Sequence, residues 1–134
     1  MSHMQIQYKG HFRTEAVHLD SQNKIITDAP KDNQGNGEAF SPTDLLCTSL
    51  ASCMLTIMAM KAKSLNLELG EVSIRLEKKM VSAPRKVGEI VLHFDWKGLD
   101  SRVTPAQLAE LKAAGEGCPV FLTLAAEVKK TLHW

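Results

Sequence analysis

The residues with the most reactive side chains in this chain are three cysteines, Cys47, Cys53 and Cys118. A thiolate is a strong nucleophile, and two thiols that meet can close a disulfide. An odd, small number of cysteines without a signal peptide is not a disulfide scaffold, and no Cys-x-x-Cys pair indicates a zinc ribbon or a thioredoxin-type site. Any thiol chemistry must therefore join residues that are distant in sequence.

Cys53 follows the predicted cap of a long apolar helix, Ser41, by twelve residues. The helix dipole acts within the first turn, and a thiol buried among apolar side chains is inert. A reactive Cys53 needs a cation from another element, and the candidates are Arg13, Arg75, Arg85 and Arg102. On local grounds alone, Cys53 is predicted to be a core cysteine. Cys47 lies about 240° away around the same helix and is also predicted to be core.

Cys118 has a different local setting, because Pro119 follows it and Gly115 and Gly117 precede it. This order predicts that Cys118 caps a short helical turn, where backbone N–H groups favour a thiolate. The alternative is that Cys118 and Pro119 form a simple turn, which the local sequence favours slightly.

Other common sites have little support. The 16 basic and 15 acidic residues give a net charge of +1, so no excess charge indicates nucleic acid or a membrane as a partner. No metal or cofactor is expected, because the sequence has no metal-binding, nucleotide-binding or serine-hydrolase motif. Four histidines are predicted to lie on separate strands without clustering, namely His11, His18, His93 and His133.

The order of elements predicts an α+β fold with mostly antiparallel sheet. Residues 4–28 predict a three-stranded meander, and residues 29–38 predict a loop. Residues 72–96 predict a hairpin, and the C-terminal residues predict a last strand.

Two helix starts are marked by capping signals. Ser41-Pro42-Thr43-Asp44 has a cap, a proline at the first helical position and an acidic residue that can reach back. Thr104, Pro105 and Gln107 repeat this arrangement, and Gly115 and Gly117 are expected to stop the second helix.

The first helix is predicted to span about 22 residues, and residues 45–60 carry no charge. This run is shorter than the roughly 20 residues of a membrane span. A helix that is apolar all round must be buried all round, and one small chain can hardly cover it. The sequence therefore predicts an obligate homodimer. The alternative is a monomer whose own sheet and second helix are enough to cover the first helix.

The length of 134 residues corresponds to one domain. Residues 1–3 have the composition of a cloning remnant, so the expected domain is 4–134. The cysteine count and the lack of a signal peptide predict a cytoplasmic protein.

Three motifs together resemble a known family. Ser41-Pro42-Thr43-Asp44-Leu45-Leu46, then Ala51-Ser52-Cys53-Met54, then Gly117-Cys118-Pro119-Val120, are similar to the pattern of the OsmC/Ohr family of thiol-dependent peroxidases. The order of strands and helices is similar along essentially the whole chain, and the combination of motifs is fairly specific.

The resemblance implies an OsmC-like intertwined homodimer, with two long central helices crossed beneath strongly curved sheets. It implies that Cys53 is the peroxidatic nucleophile, that Cys118 resolves it and that Arg13 is the activating cation. The implied reaction reduces an organic hydroperoxide to an alcohol through a Cys53 sulfenic acid and a Cys53–Cys118 disulfide. An external thiol or dithiol reductant would then reopen the disulfide.

One position departs from the family pattern. Better-characterised branches carry a glutamate directly after the proline of the helix-start motif, where it pairs with the arginine, and this chain has Thr43 there. Asp44 is rotated about 100° from Thr43 and already serves the cap, which leaves Glu38 in the preceding loop as a candidate substitute. The alternative hypothesis is a non-catalytic OsmC-like dimer that acts as a thiol redox sensor or binds a small apolar ligand. A third hypothesis is a dimer with a purely structural role.

Overall fold

The computed structural model describes all 134 residues, which divide into two compact units, Met1–Leu46 and Cys47–Trp134. The N-terminal unit contains an antiparallel sheet of three strands in the order β1-β2-β3. These strands are β1 (Met4–Gly10), β2 (Arg13–His18) and β3 (Lys24–Asp28). The predicted meander of residues 4–28 is therefore confirmed.

A tight turn between β1 and β2 sets the position of Arg13. Gly10, His11 and Phe12 have φ values of 86°, 54° and 61°, in the left-handed region that glycine enters without steric cost. Arg13 then begins β2 and pairs across the sheet with Asp28, the last residue of β3. His11 lies in this turn, so its predicted strand position is wrong.

The long helix, α1, spans Pro42–Ser64, 23 residues. Its first turn is closed by a reciprocal pair of hydrogen bonds between Ser41 and Asp44. The Asp44 backbone N–H donates to Ser41 Oγ at 3.1 Å, and the Ser41 backbone N–H donates to Asp44 Oδ2 at 2.9 Å. The predicted capping box and helix length are confirmed, because four consecutive residues encode this start.

Within one chain, α1 buries a single stripe instead of its whole circumference. The buried residues recur at intervals of three or four: Cys47, Leu50, Met54, Met58 and Ala62. On other faces Met60 is 61% exposed. One chain therefore leaves part of the helix uncovered, as expected, and its cover by a second chain stays a prediction. By length and composition alone α1 is also apolar enough to cross a membrane, a test that core helices of soluble proteins pass as well.

The C-terminal unit contains a second sheet, in the order β4-β5-β6. β4 (Ser73–Val81) and β5 (Lys86–Asp95) form the predicted antiparallel hairpin, and β6 (Lys129–His133) is the predicted last strand. β6 runs parallel to β5, which the sequence did not indicate. A parallel neighbour needs a crossover, and α2 (Pro105–Glu116) and α3 (Pro119–Thr123) supply it.

Helix α2 starts and ends close to the predicted positions. The predicted capping box of Thr104 and Gln107 is present, and Gly117 follows the last helical residue. Gly115 lies inside the helix and does not end it. A Cβ atom there would stand 3.0 Å from Met58 Sδ, so the missing side chain permits close packing of α2 on α1.

The apolar core of the C-terminal unit consists of two clusters along α1. The first contains seven buried residues, namely Cys47, Leu50, Met54, Val87, Ile90, Leu92 and Cys118. The second contains six, namely Met58, Ala62, Leu67, Leu69, Val72 and Leu111. Two of the three cysteines thus belong to the same packed interior.

Candidate thiol site

The structure brings Cys53 and Cys118 together, although 65 residues separate them in sequence. Cys53 lies in the middle of α1 and packs against the first core cluster, of which Cys118 is a buried member. The two thiols are within hydrogen-bonding reach of each other, and no disulfide joins them. The pair therefore has the proximity that an exchange between a sulfenic acid and a thiol requires.

Cys118 caps α3, as the sequence predicted. Its Sγ accepts a hydrogen bond from the Phe121 backbone N–H at 3.3 Å. Cys118 is fully buried, and burial raises the pKa of its thiol above the ordinary value. The Phe121 N–H lowers that pKa, while hydrogen bonding and charge repulsion from Cys53 raise it further. Burial outweighs the backbone donors, so the net shift of the Cys118 pKa is upward.

The two thiols differ in access to solvent. Cys53 is partly exposed, whereas Cys118 is fully buried. Partly buried apolar side chains pack around the same cluster, including Ile57, Val120 and Phe121. Cys47 is also fully buried in this cluster, in agreement with its predicted packing role.

Arg13 is held by carboxylates within the N-terminal unit. Its Nη2 contacts Glu38 Oε2, and its Nε lies 3.8 Å from Asp28 Oδ1. Glu38, the candidate substitute for the missing glutamate, thus pairs with the arginine. Thr43 instead lies beside the helix cap, with its Oγ1 3.2 Å from Ser41 Oγ.

Asp28 is the residue that sequence reasoning missed. Its side chain is 1% exposed, and its Oδ2 accepts a hydrogen bond from the Glu38 backbone N–H at 2.9 Å. The signal that could have found it is the strand register, which places Asp28 opposite Arg13. A single sequence does not display that register until β2 and β3 are aligned.

Histidines come together at one place, contrary to expectation. His93 on β5 and His133 on β6 are register partners, and their rings stack with centroids 4.7 Å apart. His93 Nε2 also lies 3.2 Å from Glu77 Oε1. No group of three or more histidine, cysteine, aspartate or glutamate side chains is arranged to hold a metal ion.

Residues 35–133 match the family model of OsmC-like proteins, which covers most of the chain. The chain belongs to the OsmC-like family. No curated protein sequence matches this OsmC-like protein significantly.

Solved structures of OsmC-like proteins resemble the chain over nearly its whole length. A protein of Psychrobacter arcticus, proposed to be an osmotic stress induced and detoxification response protein, is 38% identical. It has a TM-score of 0.91, with 99% of this chain and 95% of that chain covered.

Two more distant structures carry the fold with lower identity. The organic hydroperoxide resistance protein OsmC of Legionella pneumophila is 20% identical with a TM-score of 0.75, covering 99% of this chain and 95% of that chain. The organic hydroperoxide resistance protein OhrB of Bacillus subtilis is 17% identical with a TM-score of 0.62, covering 99% and 96%. These likenesses agree with the expected α+β, OsmC-like fold.

Proposed function

We propose that this OsmC-like protein is a cysteine-dependent peroxidase that reduces organic hydroperoxides to alcohols. The observation that carries the proposal is the pairing of a partly exposed Cys53 with a buried Cys118. Membership of a family that includes organic hydroperoxide resistance proteins supports it.

The difference in exposure between the two thiols supports an order of reaction. The Cys53 thiolate attacks one oxygen of the peroxide, the O–O bond breaks, and the alkoxide leaves as an alcohol after taking a proton. The Cys53 sulfenic acid then meets the Cys118 thiol, which displaces water and closes the disulfide. Two equivalents of an external thiol, or one dithiol, restore both cysteines.

Arg13 is the proposed cation for the thiolate, as the family resemblance implies. Its contact with Glu38 supports the view that the loop before α1 supplies the carboxylate that Thr43 cannot. A guanidinium is always charged and can donate several hydrogen bonds, so it suits a thiolate and a departing alkoxide.

The apolar side chains around the two cysteines favour an organic hydroperoxide over hydrogen peroxide as substrate. We propose that the protein works in the cytoplasm, where reduced thiols are abundant. These surroundings would also keep Cys53 and Cys118 reduced between turnovers.

A homodimer is part of the proposal. Several large apolar side chains of the N-terminal unit are more than half exposed in the single chain: Met4, Ile6, Tyr8, Phe12, Ile25, Ile26 and Phe40. Large apolar side chains exposed in this number are typical of an interaction surface. A second copy of the chain is the proposed cover.

The direct test counts thiols after reduced protein is treated with cumene hydroperoxide. Two of the three thiols should disappear, and mass spectrometry should find a Cys53–Cys118 disulfide. Cys53→Ser should abolish peroxide consumption, whereas Cys118→Ser should stop at a sulfenic acid that dimedone traps. Cys47→Ser is the matched control on the same helix and should react like the wild type.

The same experiment separates the peroxidase from a sensor. A peroxidase consumes many equivalents of peroxide when dithiothreitol is present, whereas a sensor is oxidised once and turns over slowly. Survival of all three thiols in excess peroxide would rule out both.

A further inference from the structure

The Arg13 guanidinium is bounded by two carboxylates with different surroundings. Glu38 contacts Nη2 and is 60% exposed, whereas Asp28 faces Nε and is 1% exposed. An exposed side chain on a loop holds its partner weakly, because solvent screens the pair and both side chains lose conformational freedom. The buried carboxylate is the stronger constraint on where the guanidinium can lie.

Asp28 connects to both parts of this ion pair. Its Oδ2 accepts the Glu38 backbone N–H at 2.9 Å, so it fixes the loop that carries the second carboxylate. Its Oδ1 faces Arg13 Nε at 3.8 Å, and neither of these two buried atoms has a hydrogen-bond partner. A buried carboxylate is stable only when cations or donors surround it, so Asp28 depends on Arg13 as much as Arg13 depends on Asp28.

The backbone holds Asp28 in place from two sides. On one side β2 and β3 pair Arg13 with Asp28 and Thr14 with Thr27, whose hydroxyl oxygens lie 2.5 Å apart. On the other side, the Asp28 backbone N–H donates to the Phe40 carbonyl at 3.0 Å. Asp28 therefore belongs to the sheet rather than to the loop, and its carboxylate position is set by the strand register.

We infer that Asp28 is the positioning residue for Arg13 in peroxide reduction, an inference that rests on the proposed function. In this chain the sheet fixes the arginine through Asp28 Oδ1, and Asp28 Oδ2 fixes the loop that brings Glu38 to the same guanidinium. Thr43, at the helix start, is not needed to hold the Arg13 guanidinium.

Asp28→Asn is the principal variant, because asparagine keeps the shape and one acceptor but removes the charge. Glu15→Gln is the matched control, since Glu15 lies on β2 and pairs with Lys24 of β3 at 3.6 Å, on the same two strands. Glu38→Gln tests the exposed carboxylate separately. Urea unfolding of each variant checks that the fold is retained.

The first readout is hydrogen exchange at the arginine Nε–H groups, followed by NMR and assigned with Arg13→Lys. The chain has only four arginines, so the signals are easily separated. In the wild type and in Glu38→Gln, the Arg13 Nε–H should exchange about tenfold or more slowly than that of the exposed Arg75, because the Arg13 Nε atom is buried beside Asp28. Asp28→Asn should lose this protection, and Glu15→Gln should keep it.

The second readout compares two reactions of Cys53. Oxidation by cumene hydroperoxide needs a positioned guanidinium, so it should slow by about tenfold or more in Asp28→Asn. Alkylation by iodoacetamide needs only the thiolate, so it is compared at a pH high enough to ionise Cys53 in every variant, with or without a guanidinium beside it. Under those conditions alkylation should be unchanged in Asp28→Asn, whereas oxidation at the same pH should still be slower.

Unchanged Nε–H exchange in Asp28→Asn would overturn the inference, and so would unchanged oxidation or an equal loss of oxidation and alkylation. If Asp28→Asn does not fold, Glu38→Gln decides, because loss of Arg13 protection there would assign the positioning to Glu38. A wild-type chain that peroxide does not oxidise would instead refute the proposed function, whatever the exchange experiment shows.

Discussion

The two units of the chain bury opposite kinds of side chain. In Met1–Leu46 the buried side chains are polar, namely Thr27, Asp28 and Ser41, while large apolar side chains stand exposed on the strands. In Cys47–Trp134 the buried side chains are apolar and form two packed clusters. The difference shows that the C-terminal unit has its own hydrophobic core and the N-terminal unit has none.

Because the N-terminal unit has no apolar core, it gains little stability from burying side chains in its own interior. The hydrophobic effect dominates folding, so the exposed apolar strands of the N-terminal unit gain stability only when something covers them. Its buried polar residues instead organise the arginine and the start of α1. We therefore expect mutations in the C-terminal unit to alter the stability of the fold, and mutations in the N-terminal unit to alter assembly and activity.

The largest effect on stability is expected from the C-terminal core. Leu50 is fully buried on α1, so Leu50→Ala should lower the free energy of unfolding by about 2–5 kcal/mol through lost burial and a cavity. Urea unfolding measures this loss. A loss below about 1 kcal/mol would mean that this cluster is not the stabilising core.

The next largest effect is expected on assembly. Ile6 on β1 is 63% exposed in the single chain, so Ile6→Lys should weaken the dimer about hundredfold, or about 2.7 kcal/mol. Sedimentation velocity over a range of concentrations measures the shift. Gln7→Lys, on the opposite face of the same strand, is the control. A wild type that is monomeric at all concentrations would contradict the proposed dimer.

A smaller effect is expected at the arginine. Arg13→Ala leaves the buried Asp28 carboxylate without its cation and should cost about 1–3 kcal/mol of stability. Glu38→Ala removes the exposed partner of the same guanidinium and should cost less than about 1 kcal/mol. Urea unfolding of the two variants at pH 7 tests the order, and equal losses would mean that burial does not distinguish the two carboxylates.

The smallest effect concerns the pH dependence of stability. Burial raises the pKa of Cys118, so the folded protein keeps this proton to a higher pH than the unfolded chain does. The resulting stability is complete below the unfolded pKa and is lost as the pH rises through the folded one. Urea midpoints of the wild type between pH 7 and 10 should therefore fall more steeply than those of Cys118→Ala. Parallel curves would show that Cys118 does not contribute.

The features that could be predicted from the sequence are those that depend on a few consecutive residues. The helix starts at Ser41 and Thr104 and the cap at Cys118 each depend on a hydrogen bond between residues three apart. Capping chemistry is local, so the order of residue types is enough to specify it. The alternation of apolar residues similarly revealed the strands.

The features that escaped prediction join residues that are far apart in the chain. The pairing of Arg13 with Asp28, the stacking of His93 on His133 and the parallel direction of β6 all follow from strand register. The local sequence predicts Gly115 as a helix stop, because it does not reveal the methionine of α1 that packs against this glycine. The Cys53–Cys118 pair was accessible only through a family resemblance, since nothing local links the two.

The parallel pairing of β5 and β6 has a consequence for how the chain reaches its folded state. The β4–β5 hairpin can form early, because a short turn joins its strands. The pairing of Glu89 with Lys129 must wait for residues 90–128 to cross over, which costs loop-closure entropy before any contact repays it. The strand β6 is thus expected to dock late, and a chain still emerging from the ribosome would expose the edge of β5 until β6 has been synthesised.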